Sequence, residues 1–229
     1  MADVPFSLFT AITVLSLSLW FSHKDLRWIL LAAIHSGFAL FTKKEGLAVF
    51  FVLVLSFYVL NFFSGGRSFH RRIGFPALLA GIPILMHIPW LLFTMKLPET
   101  FAVSHFSPDR FVQGLERLPA ISFYVLQEMI LRIHRWNIIW WIFFLACLLS
   151  IRSLFRIPRL FLFLVFVLYS AAIWIPIMTT PIPIQEILPS AMTRLFMHVL
   201  PVAVVIMQGQ VSDITGLSLL RLGKESSGR

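Results

Sequence analysis

Apolar residues fall into long runs broken by short charged stretches, with neither the alternation of a half-buried strand nor the one-sided stripe of a soluble helix. Seven runs stand out, at residues 5–21, 28–41, 47–63, 75–95, 137–150, 160–178 and 191–207. A membrane-spanning helix needs about 17–25 predominantly apolar residues. The second and fifth runs are short for that length. Both are bounded by charges, so they either extend by a turn or let flanking Lys and Arg snorkel to the interface. The pattern predicts an all-α, polytopic integral membrane protein with about seven transmembrane helices. Residues 1–208 form the helical domain and residues 209–229 a cytoplasmic tail.

Between the fourth and fifth runs lies an external segment, residues 96–136, whose second half has helical spacing. Glu128, Arg132 and Arg135 recur at i, i+4 and i+7, with Phe123, Leu126, Ile130 and Ile133 largely opposite. An amphipathic helix over 120–136, lying in the membrane interface, is expected from this. It serves either as a resting connector or as the wall of a lipid-facing cavity. Residues 179–189 carry Pro181, Pro183 and Pro189, with Pro176 just before them, and read as extended.

Composition removes the main alternatives. Of 229 residues, 59% are hydrophobic and 13% charged, and mean hydropathy is +0.88. Soluble domains run near 45–50% apolar and about 25% charged, so a soluble globular domain and a disordered chain are both excluded. Cys147 is the only cysteine, which rules out an internal disulfide and a cysteine-rich metal site. It reads as a small buried hydrophobe. No cleavable signal is visible: Met-Ala-Asp is not a basic leader, and no small-residue cleavage site ends the first run.

The net charge of +9 does not point to nucleic acid, because the basic residues sit in the breaks between apolar runs. With an external N-terminus and alternating breaks, one side holds Lys24, Arg27, Arg67, Arg71, Arg72, Arg152, Arg156, Arg159 and the basic tail, for a net charge of +8. The other side totals +1. The basic side is cytoplasmic by the positive-inside rule. The expected location is a bacterial inner (plasma) membrane, N-terminus outside and C-terminus inside.

Candidate chemistry collects on the external side. Asp3 opens the first run, as a helix-terminal cap or as a carboxylate for a divalent metal or a sugar hydroxyl. The turn Phe41-Thr42-Lys43-Lys44-Glu45-Gly46 places two lysines against the positive-inside rule. It marks a membrane boundary, or Lys43 and Lys44 bind the phosphate of an anionic lipid with Glu45 positioning them. Arg194 and His198 open the last run at i, i+4 and share a helix face. An arginine within a span is a functional candidate unless it snorkels. His35 and His87 each stand alone within a run, where hydrogen bonding to a neighbouring helix is expected over metal binding. The Arg67, Arg71 and Arg72 group reads as topology plus contact with anionic lipid. No metalloprotease, nucleophile-elbow or phosphate-loop motif is present.

Two of these motifs carry a resemblance. Ala2-Asp3-Val4-Pro5 opening one span, then Phe41-Thr42-Lys43-Lys44-Glu45-Gly46 opening another, resembles the GT-C superfamily of membrane glycosyltransferases, which use polyprenyl-phosphate sugars. Its bacterial branch includes protein mannosyltransferase-like, lipid A aminoarabinose transferase-like and Rgt-type lipopolysaccharide sugar transferases. Arg117-Leu118-Pro119 running into the interfacial helix, and residues 190–201, fit the same family.

The resemblance implies that a lipid-linked sugar binds between spans and is transferred outside the cytoplasm with inversion. It makes Asp3 the catalytic candidate, with Lys43, Lys44 and Arg194 on the donor phosphate and Glu45 and His198 in support. It also places the family's main catalytic carboxylate in a loop ahead of Met1. The chain is therefore expected to be the membrane portion of a longer transferase lacking its N-terminal catalytic loop, and a cofactor is unassigned beyond a possible divalent metal. Partners implied are a polyprenyl-phosphate-linked sugar and membrane lipids, with no nucleic acid. The alternatives are a non-catalytic assembly partner of an envelope complex, and a small transporter. A transporter predicts paired intramembrane charges and an internal repeat, neither of which is seen.

Overall fold

The first two helices show how the chain folds locally. α1 (Asp3–His23) ends because Lys24 takes a left-handed conformation, φ 59°, and its backbone N–H donates to the Trp20 carbonyl at 2.8 Å. The Lys24 ammonium then lies 4.5 Å from the Trp20 ring centre, so a cation rests on an aromatic face at the helix end. Asp25 follows as an N-cap, its carboxylate accepting from Arg27 N–H at 2.9 Å, and α2 (Leu26–Thr42) runs back along α1. This is a computed structural model, and it describes residues 2–43, 45–63, 69–96, 108–132, 138–180 and 182–215.

The remaining helices are α3 (Gly46–Phe63), α4 (Phe69–Thr94), α5 (Pro108–Gly114), α6 (Leu118–Leu126), α7 (Ile139–Leu149), α8 (Ile151–Leu154), α9 (Ile157–Thr179) and α10 (Ile184–Thr215). A 3₁₀ turn at Leu115–Arg117 joins α5 to α6, and a π-helical turn at Gln127–Leu131 continues α6. No strand occurs among the described residues.

Five of the seven apolar runs lie within single helices, run 75–95 passes the end of α4 by one residue, and α7 covers 139–149 of run 137–150. Among the described residues four segments, Asp3–His23, Gly46–Phe63, Ile73–Phe93 and Ile157–Thr179, are long and apolar enough to cross a membrane. Shorter apolar stretches among the described residues are Leu26–Thr42, Ile139–Leu149 and, within α10, Phe196–Gln210. The chain is an integral membrane protein of helices.

α1 is central. It packs against α2, α3, α9 and α10, and Phe6, Val14, Leu17 and Trp20 along it are fully buried. Around Trp20 gather Phe21, Phe57 and Phe75, with Trp20 and Phe57 ring centres 4.8 Å apart. Between apolar helices in lipid, association rests on packing and on small residues at the contacts. Gly37 of α2 serves this way, since a Cβ there would run into the Met86 side chain of α4. The outward faces are apolar too. Phe51, Phe63 and Leu85 are exposed, as lipid contact requires.

Three local expectations change. Residues 184–189 are helical, not extended. The Pro183 carbonyl accepts from Glu186 N–H at 3.1 Å and Ile187 N–H at 3.2 Å, starting α10 one residue after a proline. Pro189 then removes only the bond to the Gln185 carbonyl, at an exposed residue where solvent can replace it. Second, His35 bonds to its own helix, Nδ1 lying 2.8 Å from the Leu31 carbonyl, because the i−4 carbonyl is its nearest acceptor. Third, α6 and its π turn face their charge inward. Glu128 is fully buried and pairs with Arg132, while Phe123 and Leu126 point outward. Arg135 lies outside the described residues.

Arg117, in the 3₁₀ turn, holds the segment from α5 to α6 against α9. Its Nη1 donates to the carbonyls of Thr180 at 2.9 Å and of Ile177 and Ile182 at 3.3 Å. A cation is thus seated on the C-terminal carbonyls of a helix, where the dipole is negative. Gly114 makes the approach feasible, since a Cβ there would come within 2.9 Å of the Met178 carbonyl carbon. Arg117→Gln is expected to lower stability by about 1–3 kcal/mol. Arg117→Lys recovers only part of this, because an ammonium lacks the planar fork. Thermal unfolding of the detergent-solubilised protein checks both.

Candidate functional site

The N-terminus of α1 and the C-terminus of α2 lie at the same end of an antiparallel pair, and α10 packs beside α1. That geometry brings three polar side chains together from distant positions. Asp3 occupies the first turn of α1, Lys43 the C-cap of α2, and His198 the body of α10. The Lys43 ammonium donates to Asp3 Oδ1 in a short ion pair. His198 Nε2 lies 2.9 Å from the same oxygen and 3.5 Å from Lys43 Nζ.

The cluster is largely shielded. Side-chain exposure is 19% for Asp3, 11% for Lys43 and 1% for His198. Phe6, one turn on from Asp3, sets its ring edge-to-face on the imidazole at 4.7 Å. Ser7 strengthens the α1–α10 junction, its hydroxyl 2.8 Å from the Asp3 carbonyl and 3.3 Å from that of Met197. An Nε2–H donated to Asp3 leaves Nδ1 as the ring's lone-pair nitrogen, and Nδ1 is buried with no hydrogen-bond partner among the described residues.

Asp3 stands one residue inside α1, in its first turn. The N-cap position belongs to Ala2, which makes no side-chain cap bond, and the Asp3 carboxylate is spent on Lys43 and His198. The turn after α2 explains how Lys43 is aimed. Gly46 N–H donates to the Lys43 carbonyl at 3.0 Å, and Val49 N–H to the Glu45 carbonyl at 3.2 Å, so α3 begins at once. Only glycine fits there: a Cβ on Gly46 would come within 2.8 Å of Leu40 Cα and closer still to the Ala39 carbonyl oxygen. Glu45 is half-buried and lies within electrostatic reach of both His198 and Tyr169 of α9.

The remaining candidates divide. Arg194 lies on α10 one turn before His198, and its side chain is outside the described residues. Lys44 also lies outside them. His87 stands apart from the cluster on α4, with Nδ1 buried and unpaired among the described residues. No group of three or more His, Cys, Asp or Glu is placed to hold a metal among the described residues.

Sequence reasoning gave no role to Phe6, Tyr169 or Arg117. Phe6 and Tyr169 are indistinguishable from core aromatics in an apolar run. Arg117 carried a signal, a lone cation before Leu118-Pro119, but nothing local names its carbonyl partners.

Residues 1–104 match the family model of the dolichyl-phosphate-mannose-protein mannosyltransferases. The matched stretch contains Asp3, Lys43 and Gly46 and runs through α4, leaving α9 and α10 outside it. Over it the chain is similar to GT-C mannosyltransferase-like membrane proteins, which agrees with the resemblance read from residues 2–5 and 41–46. No curated protein and no solved structure matches the chain.

Proposed function

We propose that this chain is the membrane portion of a glycosyltransferase that moves a sugar from a polyprenyl-phosphate donor to a cell-envelope acceptor on the extracytoplasmic face. One observation carries the reading: Asp3, Lys43 and His198 converge from three helices at a single end of the bundle. The match to a mannosyltransferase family model over residues 1–104 supports the reaction class. The excess of Lys and Arg in the opposite breaks supports an external position for that end.

In this reading an acceptor hydroxyl oxygen bonds to the sugar's anomeric carbon as the bond from that carbon to phosphate oxygen breaks, the hydroxyl proton passes to a base outside the Asp3–Lys43–His198 cluster, and negative charge grows on the departing polyprenyl phosphate. Lys43 meets that charge. Its ammonium has three donors, and Asp3 holds it in place while leaving donor capacity for phosphate. Lys44 and Arg194 add charge from the same turn and from α10. Asp3 acts chiefly as a positioning group, since its Oδ1 already holds both the Lys43 ammonium and His198 Nε2. His198, with Glu45 nearby, fixes the carboxylate's orientation.

The test is sugar transfer from a synthetic polyprenyl-phosphate mannose in membranes carrying the full-length protein as its own cell makes it. Lys43→Met is expected to lower the rate about 10²-fold, the usual loss for one charge-stabilising donor. Lys43→Arg is expected to keep a measurable part of it. Transfer at the wild-type rate in Lys43→Met, Asp3→Asn and Arg194→Gln alike would overturn the proposal.

A further inference from the structure

The backbone ladder of α10 is broken where the helix passes the Asp3–Lys43–His198 cluster. Pro201 lies inside the helix, just past His198 and within the apolar stretch Phe196–Gln210. Proline has no backbone N–H, so the carbonyl four residues earlier, that of Met197, loses its ladder donor. At Pro189 solvent can replace the missing bond. At Pro201 the surroundings are apolar, and a bilayer offers a freed carbonyl no donor of its own.

The donor comes instead from α1. Ser7 Oγ lies 3.3 Å from the Met197 carbonyl oxygen and 2.8 Å from that of Asp3. The Asp3 carbonyl opens the α1 ladder, where the Ser7 N–H is its regular donor. The hydroxyl proton is therefore dispensable at Asp3 but not at Met197.

Both ends of this contact adjoin the cluster. Asp3 carries the carboxylate that takes Lys43 and His198, and Met197 immediately precedes His198. Phe6, the neighbour of Ser7, rests its ring on the imidazole. One hydroxyl thus joins the backbone of α10 beside His198 to the backbone of α1 at Asp3. The 2.9 Å approach of Nε2 to Oδ1 depends on that spacing.

We propose that Ser7 is a positioning residue: it supplies the hydrogen bond that Pro201 withdraws from α10, and so aims His198 Nε2 at the Asp3 carboxylate. The pairing of Ser7 with Pro201 stands on the fold alone. Its effect on sugar transfer rests on the function proposed above.

The full chain, with isotope-labelled histidine, is studied by NMR in detergent micelles. The Nε2–H of His198, assigned by its loss in His198→Gln, is expected as a hydrogen-bonded proton signal protected from exchange. Ser7→Ala is expected to abolish that signal, and Ser7→Thr, which keeps the hydroxyl, to retain it. Ser7→Ala is also expected to lower the unfolding temperature by about 5 °C. In Pro201→Ala a new N–H returns the Met197 carbonyl to the ladder, so the same Ser7→Ala change is expected to cost less than half as much. Equal costs in the two backgrounds overturn the link to Pro201. An unchanged His198 signal in Ser7→Ala overturns the positioning role. Where Pro201→Ala fails to fold, the alanine and threonine variants of Ser7 decide the matter: equal signals in both overturn the proposal. Wild-type transfer in a Ser7→Ala protein that has lost the His198 signal counts against the proposed function, not against this contact.

Discussion

Replacing Asp3 with Leu is expected to destabilise the protein by about 3 kcal/mol, and replacing Lys43 with Met in the same chain is expected to recover most of that loss. Breaking a buried ion pair by removing one partner costs about 3–5 kcal/mol, because a desolvated charge is left alone. The lower end applies here, since 19% of the Asp3 side chain still meets solvent. Apolar groups at both positions remove the stranded charge, and such replacements are often neutral. A residue of about 1 kcal/mol remains, because His198 Nε2 also loses its acceptor. Equilibrium unfolding of the four proteins in mixed micelles gives the cycle. If the double variant is as unstable as the sum of the two single ones, the pair is not a coupled charge site.

The second large effect is expected at Gly46. Gly46→Ala puts a methyl group against the Ala39 carbonyl and Leu40 Cα, backbone atoms at the end of α2 that have no rotamer to escape by. The α2–α3 turn must open, at about 2–3 kcal/mol within the range for overpacking. Lys43 closes that turn through its carbonyl, so it moves as well. Transfer is therefore expected to fall in a variant whose changed atom touches neither donor nor acceptor. Gly74→Ala is the control. A Cβ there meets nothing within 4 Å, and the change should be neutral within about 0.5 kcal/mol. Equal effects of the two alanines on unfolding would show that the turn is not the constraint.

Much of the helical arrangement was readable because a bilayer leaves the chain few options. Backbone groups in lipid must be paired within the segment, so long apolar runs must become helices. Each run has a helix at its centre among the described residues for that reason. The irregular parts were harder to read. Prolines at 181, 183 and 189 suggested extended chain, yet a proline just ahead of a helix costs nothing in hydrogen bonds, and α10 begins there. The spacing of Glu128 and Arg132 found the helical face in 120–131, but spacing cannot say whether a charged stripe faces water or protein.

The site divides in the same way. Asp3, Lys43 and His198 were singled out individually, by a carboxylate at a run's start, a lysine against the charge rule and a polar pair in an apolar run. Their meeting was not readable. Sequence separations of 40 and 195 residues carry no local signal of a shared oxygen.

The sequence by itself determined the class of protein and most of its helices, because hydropathy acts locally on each segment. Only the tertiary structure decided which groups meet: the Asp3 carboxylate with Lys43 and His198, Arg117 with the carbonyls ending α9, Glu128 with Arg132 beneath the external segment. Those pairings depend on which helix faces pack, and packing follows from shape across distant parts of the chain, as at Gly46 against Ala39 and Gly114 against Met178.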